Sequence, residues 1–99
     1  MPSAKIRLHP AAEQEVEAAF DWYLERNPAA ARAFLTELQQ AIERVAEAPD
    51  RWPKYLSDIR RYVFSRYPFQ LIYRKRGSDI EIMAVAHGRR RPGYWASRD

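Results

Sequence analysis

The dipeptide Asn27-Pro28 separates two stretches of helical periodicity, and it constrains the fold more than any other feature of the chain. Asparagine is a favourable N-cap and proline is accepted at the first position of a helix, so the dipeptide ends one helix and begins the next. A connection this short places consecutive helices side by side and antiparallel. The sequence therefore predicts a helical hairpin.

Apolar residues recur at spacings of three and four on both sides of this joint. Pro10 lies in the first turn of the first helix, and Pro49 follows the second. The stripes consist of Ala12, Val16, Phe20, Tyr23 and Leu24 before the joint and of Ala31, Phe34, Leu35, Leu38, Ala41, Ile42 and Val45 after it. Such spacing places each set on one side of its helix, so we expect both stripes to pack against another layer of the protein.

Strand patterns lie before and after the hairpin. Residues 4–9 alternate apolar and basic side chains, as in a short strand. Residues 49–58 (PDRWPKYLSD) show no period and contain two prolines, so we expect a loop there. Three more strands are predicted near residues 59–65, 69–75 and 80–86. The last of them is apolar on both faces, which predicts a central position in the sheet.

The predicted order of elements is β-α-α-β-β-β. We expect an α+β fold in which the helical hairpin packs on a small, mainly antiparallel four-stranded sheet. Ninety-nine residues leave no room for a second core, so the sequence predicts one domain over residues 1–99. Hydrophobic residues make up 46% of the chain, which is enough for a packed core and argues against disorder.

Several classes of function are disfavoured by what the sequence lacks. There is no cysteine, and the two histidines, His9 and His87, are far apart in the chain. With no nucleotide-binding glycine loop either, we expect no metal, no disulfide and no cofactor. No segment resembles a signal peptide or approaches the roughly 20 apolar residues of a membrane span. The expected location is the cytoplasm, with no membrane partner.

The net charge of +4 is distributed unevenly along the chain. Residues 10–50 contain nine acidic and three basic side chains, whereas residues 51–99 contain twelve basic and four acidic ones. A basic surface attracts phosphate groups and acidic segments. The charge pattern therefore points to nucleic acid, a nucleoprotein or an acidic protein segment as partner, with an ordinary solvated surface as the alternative.

The most informative segment is HGRRRPGYW, which runs from His87 to Trp95. It follows the predicted central strand, a rigid element that can hold a site in place. The three arginines have few acids nearby in sequence, and their planar guanidinium groups suit phosphate oxygens. Tyr94 and Trp95 offer ring faces on which a base can stack, and His87 can exchange protons near neutral pH. The alternative is that the aromatic rings hold the tail against the sheet while the arginines are solvated.

A second basic group precedes this segment and includes two adjacent arginines, Arg60 and Arg61. Neighbouring residues of a strand point to opposite faces, so these two cannot both line one site. We expect one of them to have a purely structural role. The residues expected to contact a nucleic acid or another target are Lys54, Arg61, Arg91, Trp95 and Arg98.

Six short motifs follow one another along nearly the whole chain. They are Asp21-Trp22-Tyr23, Phe34-x-x-x-Leu38-x-x-Ala41-Ile42, Pro49-x-x-Trp52-Pro53, Arg60-Arg61-Tyr62, Pro68-Phe69-x-Leu71-Ile72-Tyr73-Arg74 and Ala84-Val85-Ala86-His87-x-Arg89-Arg90-x-Pro92-x-Tyr94-Trp95. In order and spacing, the motifs resemble the ParE branch of the RelE/ParE superfamily, the toxins of type II toxin–antitoxin systems. This resemblance implies the same β-α-α-β-β-β fold and a cognate antitoxin that wraps and silences the toxin.

The resemblance implies two alternative targets. RelE-like toxins cut messenger RNA in the ribosome without a metal, whereas ParE-like toxins poison DNA gyrase and have no accepted catalytic residues. In the first case the chain is a metal-independent endoribonuclease with His87, Arg89, Arg90 and Tyr94 as its catalytic residues. Gln70 stands where such nucleases place an arginine, which removes one stabiliser of the transition state. We place messenger RNA cleavage first and gyrase inhibition second, and the sequence leaves open whether the chain is an enzyme.

Overall fold

The two predicted helices are present as α1 (Pro10–Arg26) and α2 (Pro28–Glu47) in the computed structural model, which describes residues 5–99. The Asn27 side chain accepts hydrogen bonds from the amides of Ala29 and Ala30, at 3.0 and 3.3 Å. Asn27 is thus the N-cap that the sequence predicted, because it satisfies two amides that have no partner inside α2. Neither of these helices is long and apolar enough to cross a membrane.

Five strands form one mixed sheet in the order β1-β5-β4-β3-β2. They are β1 (Ile6–Leu8), β2 (Lys54–Leu56), β3 (Ile59–Val63), β4 (Phe69–Arg76) and β5 (Asp79–His87). The pairing of β1 with β5 is parallel, and the other three pairings are antiparallel. The α+β class and the mainly antiparallel sheet are therefore confirmed, as is the inner position of β5.

The sheet has one strand more than the sequence predicted. Strand β2 lies within residues 49–58, which were expected to be a loop, and it pairs with β3 through Lys54–Arg60 and Leu56–Ile59 with an irregular register. The chain turns between the two strands at Ser57, whose φ is 52°. A three-residue edge strand next to two prolines has no alternation to detect, so the predicted count of four was wrong. Strand β1 is also shorter than predicted, and residue 4 lies outside the described residues.

The two faces of the sheet are covered differently. The helical hairpin covers the helix face, where Phe34 of α2 packs against Phe69 of β4 with ring centroids 5.2 Å apart. The opposite face, called the tail face below, is covered in part by Trp95, which belongs to residues 88–99; we call these residues the tail. The buried residues on the tail face are Ile59, Ile72, Met83, Ala84 and Ala86 of the sheet and Trp95 of the tail. The sheet is therefore the middle layer between the hairpin and the tail.

Strand β5 has one edge that β1 covers only in part. The pairing with β1 extends from Ile80 to Ile82 and ends there, whereas β5 continues to His87. The ladder with β4 also shifts after Ile82, since Tyr73 pairs with Ile82 and Ile72 pairs with Ala84. Such a bulge changes the direction in which the following backbone groups point. The second half of β5 therefore presents an edge that no strand of the described residues covers.

A buried carboxylate fixes the turn between β3 and β4 to the hairpin. Glu37 of α2 is 9% exposed and accepts hydrogen bonds from the amides of Ser65, Arg66 and Tyr67 and from the Ser65 hydroxyl, at 2.7–3.3 Å. Burial raises the pKa of Glu37, but the hydrogen bonds outweigh it and hold the pKa below the ordinary value of 4.5. The charged form is therefore the one that the fold stabilises.

Glu37→Ala is expected to lower the free energy of unfolding by about 2–4 kcal/mol, because three amides lose their acceptor and each unsatisfied group costs roughly 1–3 kcal/mol when buried. Glu37→Gln keeps one carbonyl oxygen and should cost less. The measurement is urea unfolding at pH 7, with the exposed Glu43→Ala on the same helix as the control. Equal stabilities of Glu37→Ala and Glu43→Ala would contradict this role.

The same contact predicts a pH dependence. A carboxyl whose pKa is lowered on folding contributes stability that is complete above its unfolded pKa and is lost as the pH falls through the folded pKa. Between about pH 5 and pH 3, the wild type should therefore lose more stability than Glu37→Gln, which has no charge to lose at this position. Parallel stability curves over this range would show that the Glu37 carboxylate contributes no pH-dependent stability.

Candidate functional site

Side chains bind the edge of β5 where strand β1 ends. Glu15 of α1 accepts a hydrogen bond from the Val85 amide at 3.0 Å, and Arg98 of the tail donates one to the Met83 carbonyl at 2.9 Å. The two side chains also pair with each other through contacts of 2.9 and 3.0 Å. Only 14% of the Glu15 side chain and 16% of the Arg98 side chain are exposed, so water screens this pair poorly. The pair therefore fastens the tail to both α1 and β5.

The Tyr94 hydroxyl donates a hydrogen bond to the same carboxylate. Burial raises the pKa of Tyr94, and the hydrogen bond to Glu15 and the negative charge of Glu15 raise it further. The Tyr94 hydroxyl is therefore protonated at neutral pH and already bound. On the face of its ring lies the guanidinium of Arg90, 3.9 Å from the ring centroid. Tyr94 thus connects the Glu15 carboxylate to the arginine segment.

His87 stands at the end of β5 and is half-buried. Its Nδ1 atom accepts a hydrogen bond from the Arg89 amide at 3.0 Å, and its ring lies edge-on to Phe69 with centroids 5.1 Å apart. An imidazole whose Nδ1 is an acceptor carries its proton on Nε2 when it is neutral. The unprotonated nitrogen, which a general base needs, is therefore occupied by a backbone amide.

Residues 88–91 form the arginine turn, in which all four residues are exposed. Within the described part of the chain, Arg89, Arg90 and Arg91 make no ion pair. A groove of about 740 Å³ lies between the turn, α1 and the end of β5, and Arg89 and Arg90 line it. Its apolar lining residues include Ala18, Tyr23, Phe69 and Val85. The site therefore combines exposed cations with an apolar surface.

Trp95 does not belong to this exposed surface. It is 1% exposed and packs on the tail face, with its ring 5.7 Å from that of Tyr55. The expectation that Trp95 stacks a base is wrong in this structure, because neither ring face is accessible. The alternative reading, in which the aromatic residue holds the tail against the sheet, is the one observed. Arg98 likewise has its guanidinium bound internally, so it is not placed to contact a target as expected.

The second basic group is divided between the two faces of the sheet, as the sequence predicted. Arg60 donates to the carbonyls of Asp50 and Trp52 at 3.2 and 2.6 Å, which is the structural role expected of one of the two arginines. Arg61 lies over the ring of Tyr55 at 4.3 Å on the other face. Neither Arg61 nor the exposed Lys54 lines the groove. Of the residues proposed as catalytic, the groove brings together His87, Arg89, Arg90 and Tyr94.

Glu15 is the residue that the sequence interpretation missed. The sequence does contain a signal for it, because Ala12, Glu15 and Ala19 follow one another at spacings of three and four. An acidic side chain at such a position lies on the side of the helix that faces the protein, where a carboxylate needs a partner.

Among residues 5–99, no group of three histidine, aspartate or glutamate side chains is placed to bind a metal ion.

Comparisons with known proteins identify the family of the chain and agree with its fold. A family model described as "ParE toxin of type II toxin-antitoxin system, parDE" matches residues 6–92. Toxin ParE2 of Mycobacterium tuberculosis, from strain H37Rv and equally from strain CDC 1551, is 24% identical over 89 residues, which are 89% of this chain and 85% of the relative. The chain belongs to the ParE toxin family of type II toxin–antitoxin systems.

A solved structure supports the same fold. The structure titled "Chromosomal ParDE TA system from P. aeruginosa" matches with a TM-score of 0.75 at 17% sequence identity, and the match covers 85% of this chain and 95% of that chain. At this identity the likeness concerns the fold alone. It supports the α+β fold, a helical hairpin on a mainly antiparallel sheet, that the sequence predicted.

Proposed function

We propose that the chain arrests bacterial growth by binding DNA gyrase in the cytoplasm, without catalysing a reaction, and that a cognate antitoxin neutralises it. Membership of the ParE toxin family supports the toxin and antitoxin parts of this proposal. The choice of gyrase over messenger RNA is supported by the chemistry of the groove. It reverses the order in which the sequence alone ranked the two targets.

The observation that carries this choice is that both candidate proton-transfer groups are engaged internally. RNA cleavage by the 2′-hydroxyl needs a base and an acid within hydrogen-bond reach of the reacting oxygens. The Tyr94 hydroxyl is bound to Glu15, and Nδ1 of His87 is bound to the Arg89 amide. Gln70, where related nucleases place an arginine, supplies no charge. The groove is therefore better suited to binding than to catalysis.

The same groove has the properties of a protein-binding surface. Arg89 and Arg90 are exposed and lack an acidic partner in the described residues, and the groove beside them is mostly apolar in its lining. Arginine and aromatic side chains are enriched at protein interfaces, where a guanidinium group can bind a carboxylate through two hydrogen bonds. An acidic or amphipathic segment of the antitoxin, or an acidic part of the target, suits such a surface.

A ribosome-dependent endoribonuclease is the second candidate function. One observation favours it: His87, Arg89 and Arg90 lie together at the groove, as phosphate chemistry would require. In that case Arg89 and Arg90 hold the scissile phosphate, and His87 transfers the proton after its bond to the Arg89 amide opens. The two candidates predict different first events in the cell.

Expression of the chain without a partner is expected to arrest growth, and co-expression of the antitoxin is expected to restore it. If gyrase is the target, DNA breaks and the SOS response appear first while messenger RNA stays intact. Sequencing of RNA ends and an SOS reporter, sampled together after induction, measure the order of events. Normal growth at a verified level of folded protein would contradict the toxin assignment. Messages cut in the ribosome before any DNA damage would contradict the choice of gyrase.

A further inference from the structure

The carboxylate of Glu15 joins α1 to residues of β5 and of the tail that lie 70 or more residues further along the chain. One of its oxygens accepts from the Val85 amide and from Arg98, at 3.0 and 2.9 Å. The other oxygen accepts from Arg98 at 3.0 Å and from the Tyr94 hydroxyl. Four hydrogen bonds therefore end on one side chain of α1. No other acidic side chain in the described residues is bound to both β5 and the tail.

The side chain of Tyr94 connects the hydrogen bonds of Glu15 to the arginine turn. The hydroxyl end of the ring is held by Glu15, and the guanidinium of Arg90 lies on its face at 3.9 Å. Because Arg90 makes no ion pair within residues 5–99, the ring is the main contact that sets the position of its guanidinium. On the other side of the turn, Arg98 and the buried Trp95 hold the chain against the sheet.

We propose that Glu15 is the positioning residue of the arginine turn: by holding Tyr94 and Arg98, it sets where Arg89 and Arg90 are presented to the target. Glu15 itself makes no contact with the target in this proposal. The part that concerns activity rests on the proposed toxin function, whereas the part that concerns docking of the tail does not. The two parts therefore have separate tests.

Docking of the tail is tested on the purified chain with Glu15→Ala. The matched control is Glu17→Ala, which removes an exposed carboxylate from the same helix. In Glu15→Ala, hydrogen exchange at the Val85 amide and tryptic cleavage within the arginine turn should both be at least tenfold faster than in the wild type. Glu17→Ala should match the wild type. Unchanged exchange and cleavage in folded Glu15→Ala would overturn the proposal.

A second variant keeps the test usable if Glu15→Ala does not fold. Glu15→Gln retains one carbonyl oxygen, for the Val85 amide or the Tyr94 hydroxyl, and loses the second acceptor oxygen together with the charge that binds Arg98. Glu15→Gln should fold. Trypsin should cleave its arginine turn about threefold faster than that of the wild type, a rate between those of the wild type and Glu15→Ala. Cleavage of Glu15→Gln at the wild-type rate would show that the pair with Arg98 does not hold the tail, and would overturn the proposal.

A double-mutant cycle separates positioning from a merely structural contribution. Activity is read as the cellular level of chain needed for growth arrest, which does not depend on whether gyrase or messenger RNA is the target. Glu15→Ala should raise this level about tenfold in the wild-type chain and have no further effect in a chain that already carries Arg89→Ala and Arg90→Ala, since Glu15 acts through these two arginines. An equal loss in both backgrounds would mean that Glu15 contributes stability alone, and would overturn the proposal.

Discussion

Trp95→Ala is expected to lower the free energy of unfolding by about 3–5 kcal/mol, the range found when a fully buried large aromatic side chain is removed. Trp95 is 1% exposed and is the largest of the fully buried side chains. Its removal leaves a cavity between the tail and the residues Ile72, Met83 and Ala84 on the tail face of the sheet. The tail should then detach, because its main apolar contact with the sheet is lost.

Urea unfolding of purified variants measures this effect. Trp95→Phe retains an aromatic ring and should lose clearly less stability than Trp95→Ala. The control is Trp22→Ala, because Trp22 is 53% exposed and its loss should cost less than about 1 kcal/mol. If Trp95 were instead a base-stacking residue, Trp95→Ala would be as stable as the wild type and would lose only activity.

The double substitution Arg89→Ala with Arg90→Ala is expected to have the largest effect on activity. An arginine that is a hot spot of an interface contributes about 2 kcal/mol or more, so with the arginine turn as the hot spot the concentration needed for half-inhibition of gyrase should rise by at least about 30-fold. Stability should change by less than about 1 kcal/mol, because both side chains are exposed and neither makes an ion pair in the described residues.

The matched control for this pair is Arg32→Ala, which removes an exposed arginine from α2, away from the groove. It changes the net charge in the same direction and should leave inhibition within about twofold of the wild type. Gyrase supercoiling assays give the activity, and urea unfolding at the same pH gives the stability. If the double variant inhibits gyrase as well as Arg32→Ala does, the arginine turn is not part of the binding surface.

The parts of the fold that the sequence predicted are those encoded by neighbouring residues. Asn27 caps α2 and Pro28 begins it, and both effects operate within one helical turn. The dipeptide alone therefore predicted the hairpin. The inner position of β5 followed from its apolar residues on both faces. By contrast, β2 has three residues and an irregular register, and it exists only because β3 is there to pair with it.

The candidate site was predicted less completely, because its contacts connect residues far apart in the chain. The sequence located His87 and the arginine turn, which are consecutive. Glu15 was missed since its partners Val85 and Tyr94 lie 70 and 79 residues away. The sequence also left both readings of Trp95 open, because the packing of an aromatic residue in a tail without periodicity depends on the tertiary structure. Binding is proposed over catalysis because the Tyr94 hydroxyl is hydrogen-bonded to Glu15 and Nδ1 of His87 to the Arg89 amide.

The most direct test of the binding account compares the purified wild-type chain in two assays at equal concentration. One assay measures supercoiling by purified DNA gyrase, and the other measures cleavage of a messenger RNA on translating ribosomes. The account predicts that the chain inhibits supercoiling and leaves the message intact. Cleavage of the message with supercoiling unaffected would contradict it and would make His87, Arg89 and Arg90 parts of a nuclease site.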